Sequence, residues 1–274
     1  MQAWQKPDAQ WRSYDRGAVL FDRITVPHIF ARPARDLIGL LSPVAGGVLL
    51  DVGTGTGVGA LEARSAMGGG GTVVGVDPSL EMLLRASTKG LSAVVVGRAP
   101  GLPHRDAVFD AVLASFVLSH IASCELALAD MVRVLMPGGK LGVSAWGPGG
   151  REDQPIWRAA VSSFVPLDIL DRKAEEALPR HEWLSDADNL TAALRNAGLE
   201  AVCLRFRDYT VRMSVADYIG YRGASLYGRF MRERLGAEGW NDFAREAAES
   251  LRSSFGETVE FSTPAYLAAG TKPA

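Results

Sequence analysis

Short runs of apolar residues rich in valine alternate along most of this chain with longer stretches of helical period. Val48–Val52, Thr72–Asp77, Ala93–Val96 and Phe109–Ser115 are such runs, the first carrying Asp51 at its end and the second closing on Asp77. Continuous apolar runs without polar alternation read as strands buried on both faces, as in a parallel sheet. Helix-forming sequence follows each of the first two: Ala60-Leu61-Glu62-Ala63-Arg64 after a glycine turn, and Leu80-Glu81-Met82-Leu83 after Ser79 as N-cap. A further helix is predicted over 124–135. It is stopped by Pro137-Gly138-Gly139, after which Lys140-Leu141 opens another strand. Strand and helix in alternation predict an α/β fold.

The flanks are more helical. In residues 1–41, which include Trp4, Trp11, Tyr14, Phe21, His28 and Phe30, the apolar face of Val19, Leu20, Phe21, Ile24 and Val26 predicts helix. Pro27 and Pro33 are expected to divide this segment into short helices, the last over 34–41. Beyond the glycine-rich link 147–150, a mixed helical stretch over 151–183 leads to a helix over 188–196 and a strand over 201–206. Helix then runs over 214–255, and a last strand over 259–272. Internal repeats and an interdomain linker are absent from the sequence, which favours one domain.

Composition changes this picture little. The chain has 274 residues, 47% of them hydrophobic and 22% charged, enough for a sizeable core. A net charge of −2 gives no electrostatic reason to expect nucleic acid or an anionic membrane as partner. Cys124 and Cys203 form neither a disulfide framework nor a metal-ligand pattern, and both are expected to be core thiols. No apolar signal core or membrane-length run is present, so the expected address is the cytoplasm, with association into a homo-oligomer left open.

The chemistry centres on Val48-Leu49-Leu50-Asp51-Val52-Gly53-Thr54-Gly55-Thr56-Gly57-Val58-Gly59. A strand, a glycine turn and a helix start make a loop where backbone can touch a ligand and amide groups point outward. Gly55-x-Gly57-x-x-Ala60 formally satisfies a dinucleotide fingerprint. Asp51, however, would repel a pyrophosphate and attract a ligand bearing an ammonium and a sulfonium. A second acid, Asp77, ends the second strand, placed to accept hydrogen bonds from ribose hydroxyls.

The spacing Asp51-x-Gly53-x-Gly55-x-Gly57 resembles motif I of the class I S-adenosylmethionine-dependent methyltransferases. Asp77, the Phe109-Asp110 pair and Arg133-Val134-Leu135-Met136-Pro137-Gly138-Gly139 extend the likeness in order over residues 46–146, within the ubiquinone/menaquinone-methyltransferase-like branch. The resemblance implies a Rossmann-like, seven-stranded, mostly parallel sheet with an antiparallel last strand and helices on both faces. Residues 1–41 would be a helical lid, 42–146 the cofactor-binding core, and 147–274 the completion of the sheet with helical insertions over the substrate. S-adenosylmethionine would meet Asp51, Gly53, Thr54, Gly55 and Gly57 on its methionine side, Asp77 at the ribose and Met82 at the adenine. Tyr14-Asp15 would belong to the lid, and Ser115, with Phe116, Ser119 and His120, would reach the ligand crevice from the fourth strand. The family's Gly-Asp-Ala-Glu-x-Leu-Pro reads Gly97-Arg98-Ala99-Pro100-Gly101-Leu102-Pro103 here. Arg98 replaces the adenine-facing acid, leaving the Ala99 amide to bond the ring.

Methyl transfer from a sulfonium is an in-line displacement in which orientation alone supplies roughly 7–11 kcal/mol. A base is required only when the acceptor must lose a proton. His120 is the first candidate, with His181 second, while His104 stands near the adenine side. Arg222, Arg229, Arg232 and Arg234, interleaved with Glu233, could hold an acidic substrate group, but read first as a solvated helix face. The aromatic residues of the lid and insertions favour a bulky, apolar or aromatic small molecule as acceptor, in secondary metabolism. Two alternatives stay open. The same fold could bind the cofactor while catalysing a non-methylating step such as cyclisation, and the dinucleotide fingerprint taken alone would make a nicotinamide-dependent oxidoreductase.

Overall fold

Valine-rich strands buried on both faces need helices above and below them, and the chain supplies these in sequence. The computed structural model describes residues 9–149 and 151–274, with side chains from Tyr14 onward. Trp4 lies outside the described residues, as does the side chain of Trp11.

The helix α1 (Ala9–Leu20), a π-helical stretch (Phe21–Phe30) and the helix α2 (Ala31–Leu41) precede the sheet. The prolines do not divide this segment as expected. Around Pro27 the chain widens into π turns, in which the Ala31 amide reaches back to the Val26 carbonyl. The wider turn accepts a residue without an N–H, and the chain stays helical. His28 Nδ1 lies 2.9 Å from the Ile24 carbonyl within the same stretch, so it is a packed histidine.

Then follow β1 (Val48–Val52), α3 (Val58–Ala66), β2 (Thr72–Asp77), α4 (Leu80–Thr88), β3 (Ala93–Val96), β4 (Phe109–Ser115), α5 (Cys124–Val134) and β5 (Leu135–Trp146). The Pro-Gly-Gly turn interrupts β5 from within: Phe109 pairs with Leu135, and the ladder resumes at Ala111 with Lys140. The chain continues through α6 (Gln154–Ser162), α7 (Leu167–Ala177), α8 (His181–Leu184), α9 (Ala187–Asn196) and β6 (Glu200–Ser214). It ends with α10 (Val215–Ala224), α11 (Leu226–Phe255), kinked at Gly236, and β7 (Thr258–Thr271).

One seven-stranded sheet results, in the order β3-β2-β1-β4-β5-β7-β6. The first five strands are parallel, and β7 enters antiparallel between β5 and β6. β6 runs well past the expected 201–206. Its far half pairs with β7 alone, from Asp208 against Pro264 to Ser214 against Thr258, as a two-stranded ribbon beyond the sheet. Tyr209, Val211 and Met213 alternate inward along it, a period-two signal masked by the charged run Arg205–Asp208 before it. Cys124 is buried as expected, whereas Cys203 is exposed on this edge strand, where alternate side chains face solvent.

The cores are arranged around the ligand crevice. One lies under each face of the sheet, around Leu50, Val112 and Leu128 and around Leu37, Leu49 and Leu113. A third is built from α6, α7, α10, α11 and the ribbon, around Trp157, Tyr218, Phe243 and Phe261. Phe116, Tyr209 and Ala265, packed with Phe30 and Trp146, join it to the sheet.

Candidate functional site

Parallel strands end their ligand-facing loops on one side, and here those loops enclose a cavity of about 520 Å³. The glycine loop is pinned at its root, because the Gly53 and Thr54 amides both donate to the Val76 carbonyl, at 2.7 and 3.0 Å. Gly53 has φ 71°, and a Cβ there would stand 2.5 Å from Val117 Cγ2. Asp51, 2% exposed, accepts a 2.8 Å bond from Thr54 Oγ1. Burial pushes its carboxyl up to about 7, against the bonds from Thr54 and the Ala60 amide. Such a group gains most from a cationic neighbour.

Asp77 sits beside it at the end of β2. Gly55 N donates to its Oδ2 at 2.8 Å and Ser79 N to its Oδ1 at 2.9 Å. Each oxygen keeps lone-pair capacity for a ligand hydroxyl. Burial raises this carboxyl to about 6. Asp15 accepts from Ser79 Oγ at 2.6 Å, tying α1 to the start of α4. The loop carrying Arg98 and Ala99 is held from α5: Asp130 accepts from the Gly101 and Leu102 amides at 2.7 Å and pairs with Arg133 at 2.8 Å.

At the end of β4, Ser115 Oγ lies 3.1 Å from Ser144 Oγ. Phe116 takes φ 55°, a costly conformation for a bulky residue, with its amide 3.0 Å from Ser144 Oγ and its ring stacked on Trp146 at 4.1 Å. The chain then turns through Leu118–His120. His120 Nε2 lies 3.4 Å from the Tyr14 hydroxyl. Burial, with Arg229 next, holds this imidazole down at about 4, with the Ala177 backbone acting in the opposite sense.

Tyr14, Asp51, Gly53, Thr54, Gly55, Asp77, Met82, Arg98, Ala99, Ser115 and His120 therefore all line one cavity. Gly57 does not. It is the N-cap of α3 at φ 87°, and a Cβ there would meet Ala86 of α4 at 3.1 Å, so its smallness serves helix packing. Ser119 is buried behind the wall, its carbonyl 3.3 Å from the Arg180 amide. His104 packs edge-on against Phe109 and His181 is the first residue of α8; neither is on the wall. The arginines of α10 and α11 are not the uniform solvated face expected. Arg222 is buried 3.7 Å from Asp153, and Arg229 lies 4.0 Å from the Tyr14 ring centroid, while Arg232 and Arg234 are exposed. Phe21 and Phe30 join the wall from the π stretch, and Glu176 and Pro179 join it from the end of α7 and the turn after it. The last two carried no local signal, since that segment meets the cavity through tertiary packing alone.

A family model described as a methyltransferase domain matches residues 50–143. A nocamycin O-methyltransferase from Saccharothrix syringae is 36% identical over 74% of this chain and 77% of its own length. The chain belongs to the S-adenosylmethionine-dependent methyltransferases of class I. The aklanonic acid methyltransferase of a Streptomyces strain is 27% identical over 68% of the chain and 90% of that protein. Among solved structures, a phosphoethanolamine N-methyltransferase 2 from Haemonchus contortus, bound to S-adenosylhomocysteine, superposes with a TM-score of 0.60 at 16% identity. It covers 95% of this chain and 58% of that one, and shows the shared fold.

The cofactor of this methyltransferase is S-adenosylmethionine, and the donor set fits it: two buried acids at adjacent strand ends, an open glycine loop and Met82. The dinucleotide reading falls with that assignment. Among the described residues no helix is long and apolar enough to cross a membrane.

Proposed function

We propose that this methyltransferase acts on a bulky, largely apolar small molecule of secondary metabolism. The observation that carries the reading is the composition of one cavity. Its sheet-side wall holds Asp51, the glycine loop and Asp77, and its lid side is aromatic, with Tyr14, Phe21 and Phe30, joined by Phe116 from the end of β4. Aromatic walls bury large apolar ligands at small entropic cost. The names of the nocamycin and aklanonic acid relatives support the same acceptor class.

In this reading Asp51, Gly53, Thr54, Gly55 and Ser115 hold the methionine end of the cofactor and Asp77 holds the ribose. Met82, Arg98 and Ala99 flank the adenine, and Tyr14 closes over it from α1. The bound cofactor supplies an electrophilic methyl on a sulfonium. The chain's own part is alignment: the lid and Phe116 fix the acceptor, and His120 faces it as the polar contact. This reading takes lid, core and insertions as parts of one domain over 1–274, since residues from each stretch line the cavity.

The test is incubation of the protein with S-adenosylmethionine and a panel of aromatic polyketides and quinols. S-adenosylhomocysteine release in step with an acceptor that gains one methylene in mass is the expected result. An acceptor that cyclises with no S-adenosylhomocysteine formed would replace this reading with the non-methylating one.

A further inference from the structure

The acceptor end of the cavity carries a charge that alignment alone does not require. Arg229, from α11, lies against the outer face of Tyr14 with its guanidinium 4.0 Å from the ring centroid. Its Nη1 donates to the Ala224 carbonyl at 2.6 Å, which fixes it there. Gly17, one turn along α1 from Tyr14, leaves room for it, since a Cβ at that position would stand 3.1 Å from Arg229 Cδ. The Tyr14 hydroxyl bonds the Arg229 side chain and also stands 3.4 Å from His120 Nε2, with the two rings edge to face at 5.9 Å. Arg229 thus backs the Tyr14 phenol, and Tyr14 and His120 stand side by side on the cavity wall.

The charged groups facing this row come from several elements. Asp77 at the end of β2 acts on Tyr14, and Arg229 and His181 act on His120. Glu176, at the end of α7, lies at the rim and is paired with Lys173 at 2.6 Å. None of the neighbours acting on His120 is a carboxylate that would hold an imidazolium. An imidazole held down by burial and a neighbouring guanidinium is a poor acceptor for the proton of a phenol of ordinary acidity. The same row is favourable for a group that arrives already ionised, which finds a hydroxyl donor with a fixed cation behind it.

We propose that the acceptor binds as an oxyanion, a carboxylate or strongly acidic enol, and that Arg229, acting through Tyr14, is the positioning residue that selects it. This rests on the methyltransferase reading above and names its substrate class. The acceptor oxygen uses a lone pair to bond the methyl carbon, and the carbon–sulfur pair leaves with sulfur. Anion and sulfonium both become neutral, giving a methyl ester or enol ether, and no proton is transferred. His120 Nε2 takes the Tyr14 hydroxyl in the free protein and gives it up to the acceptor when that binds.

The experiment titrates the protein loaded with S-adenosylhomocysteine at neutral pH. The probes are naphthoate against naphthamide and anthracene carboxylate against its carboxamide. At least one acid should bind about tenfold or more tightly than its amide. That ratio should fall towards one in Arg229→Gln and persist in Arg229→Lys, which keeps the charge. Equal binding of acids and amides in the unmodified protein would overturn the proposal. So would an undiminished preference in Arg229→Gln, which would move the selecting charge to Arg98 on the far wall. Failure of S-adenosylhomocysteine to bind at all would instead sink the parent reading, so the two failures are distinct.

Discussion

Asp51 and Asp77 end neighbouring strands, and burial lifts both carboxyls, to about 7 and about 6. In the free protein Asp51 therefore takes up a proton as pH falls through 7, and Asp77 follows. A ligand carrying an ammonium and a sulfonium favours the ionised forms, so binding below those values must release protons. Affinity for S-adenosylmethionine should thus weaken as pH drops from about 8 to about 5, by up to roughly tenfold per unit for each group. Calorimetric titration across that range checks it, and Asp51→Asn should flatten the upper part of the profile. Separately, Asp77→Ala should cost roughly 1.5–3 kcal/mol of cofactor affinity, a charge-assisted hydrogen bond. An unchanged dissociation constant would remove Asp77 from the ribose. Both acids are legible in the sequence because each ends an apolar strand, Asp51 before a glycine turn and Asp77 before the Pro78-Ser79 helix start. Arg229 is not, because its position against Tyr14 depends on α11 folding back over α1.

At the scale of elements, the attachment of the lid is a helix-capping arrangement. Ser79 caps α4 by accepting from Met82 N, while its hydroxyl donates to Asp15 of α1. Lys89 and Asp22 make a second link, at 2.5 Å between α4 and the π stretch. Asp15→Ala should loosen α1 from the start of α4 at a cost of about 1 kcal/mol. The outcome to measure is faster amide hydrogen exchange across Ala9–Leu20 and cofactor binding weaker by several-fold. Exchange in α1 equal to that of the unmodified protein would show that the cap does not hold the lid. The strands and most helices could be read from periodicity and stop signals, since those are local properties. The π stretch could not, because a proline within helical sequence ordinarily signals an end. The far half of β6 was obscured because Arg207 occupies the inward register just before it and Asp208, Thr210 and Arg212 alternate with its inward residues.

Across the whole molecule, the helices after β5 are stapled to β7 by a buried ionic group in the third core. Asp153, with no side-chain exposure, receives Arg151 through Nε at 3.0 Å and Nη2 at 2.8 Å, the Tyr218 hydroxyl, and Arg222 at 3.7 Å. Arg151 also stacks 4.0 Å over Phe261 of β7, and Arg222 4.6 Å over Trp157 of α6. Asp153→Ala would leave two guanidinium groups buried without their counter-ion. Destabilisation of about 3–5 kcal/mol is expected, read as a fall of roughly 10 °C in the melting temperature. A shift of a degree or less would mean that the aromatic packing holds the insertions alone. This network joins residues far apart in sequence, so no local pattern announces it.

The central claim is that the two strand-end acids and the glycine loop form a site for S-adenosylmethionine. Calorimetric titration of the purified protein, stripped of any bound ligand, with S-adenosylmethionine, S-adenosylhomocysteine and NAD tests it most directly. Micromolar binding of the first two, with no heat from the third, is the predicted result. Binding of NAD alone would contradict the account and take the assignments of Asp51 and Asp77 with it.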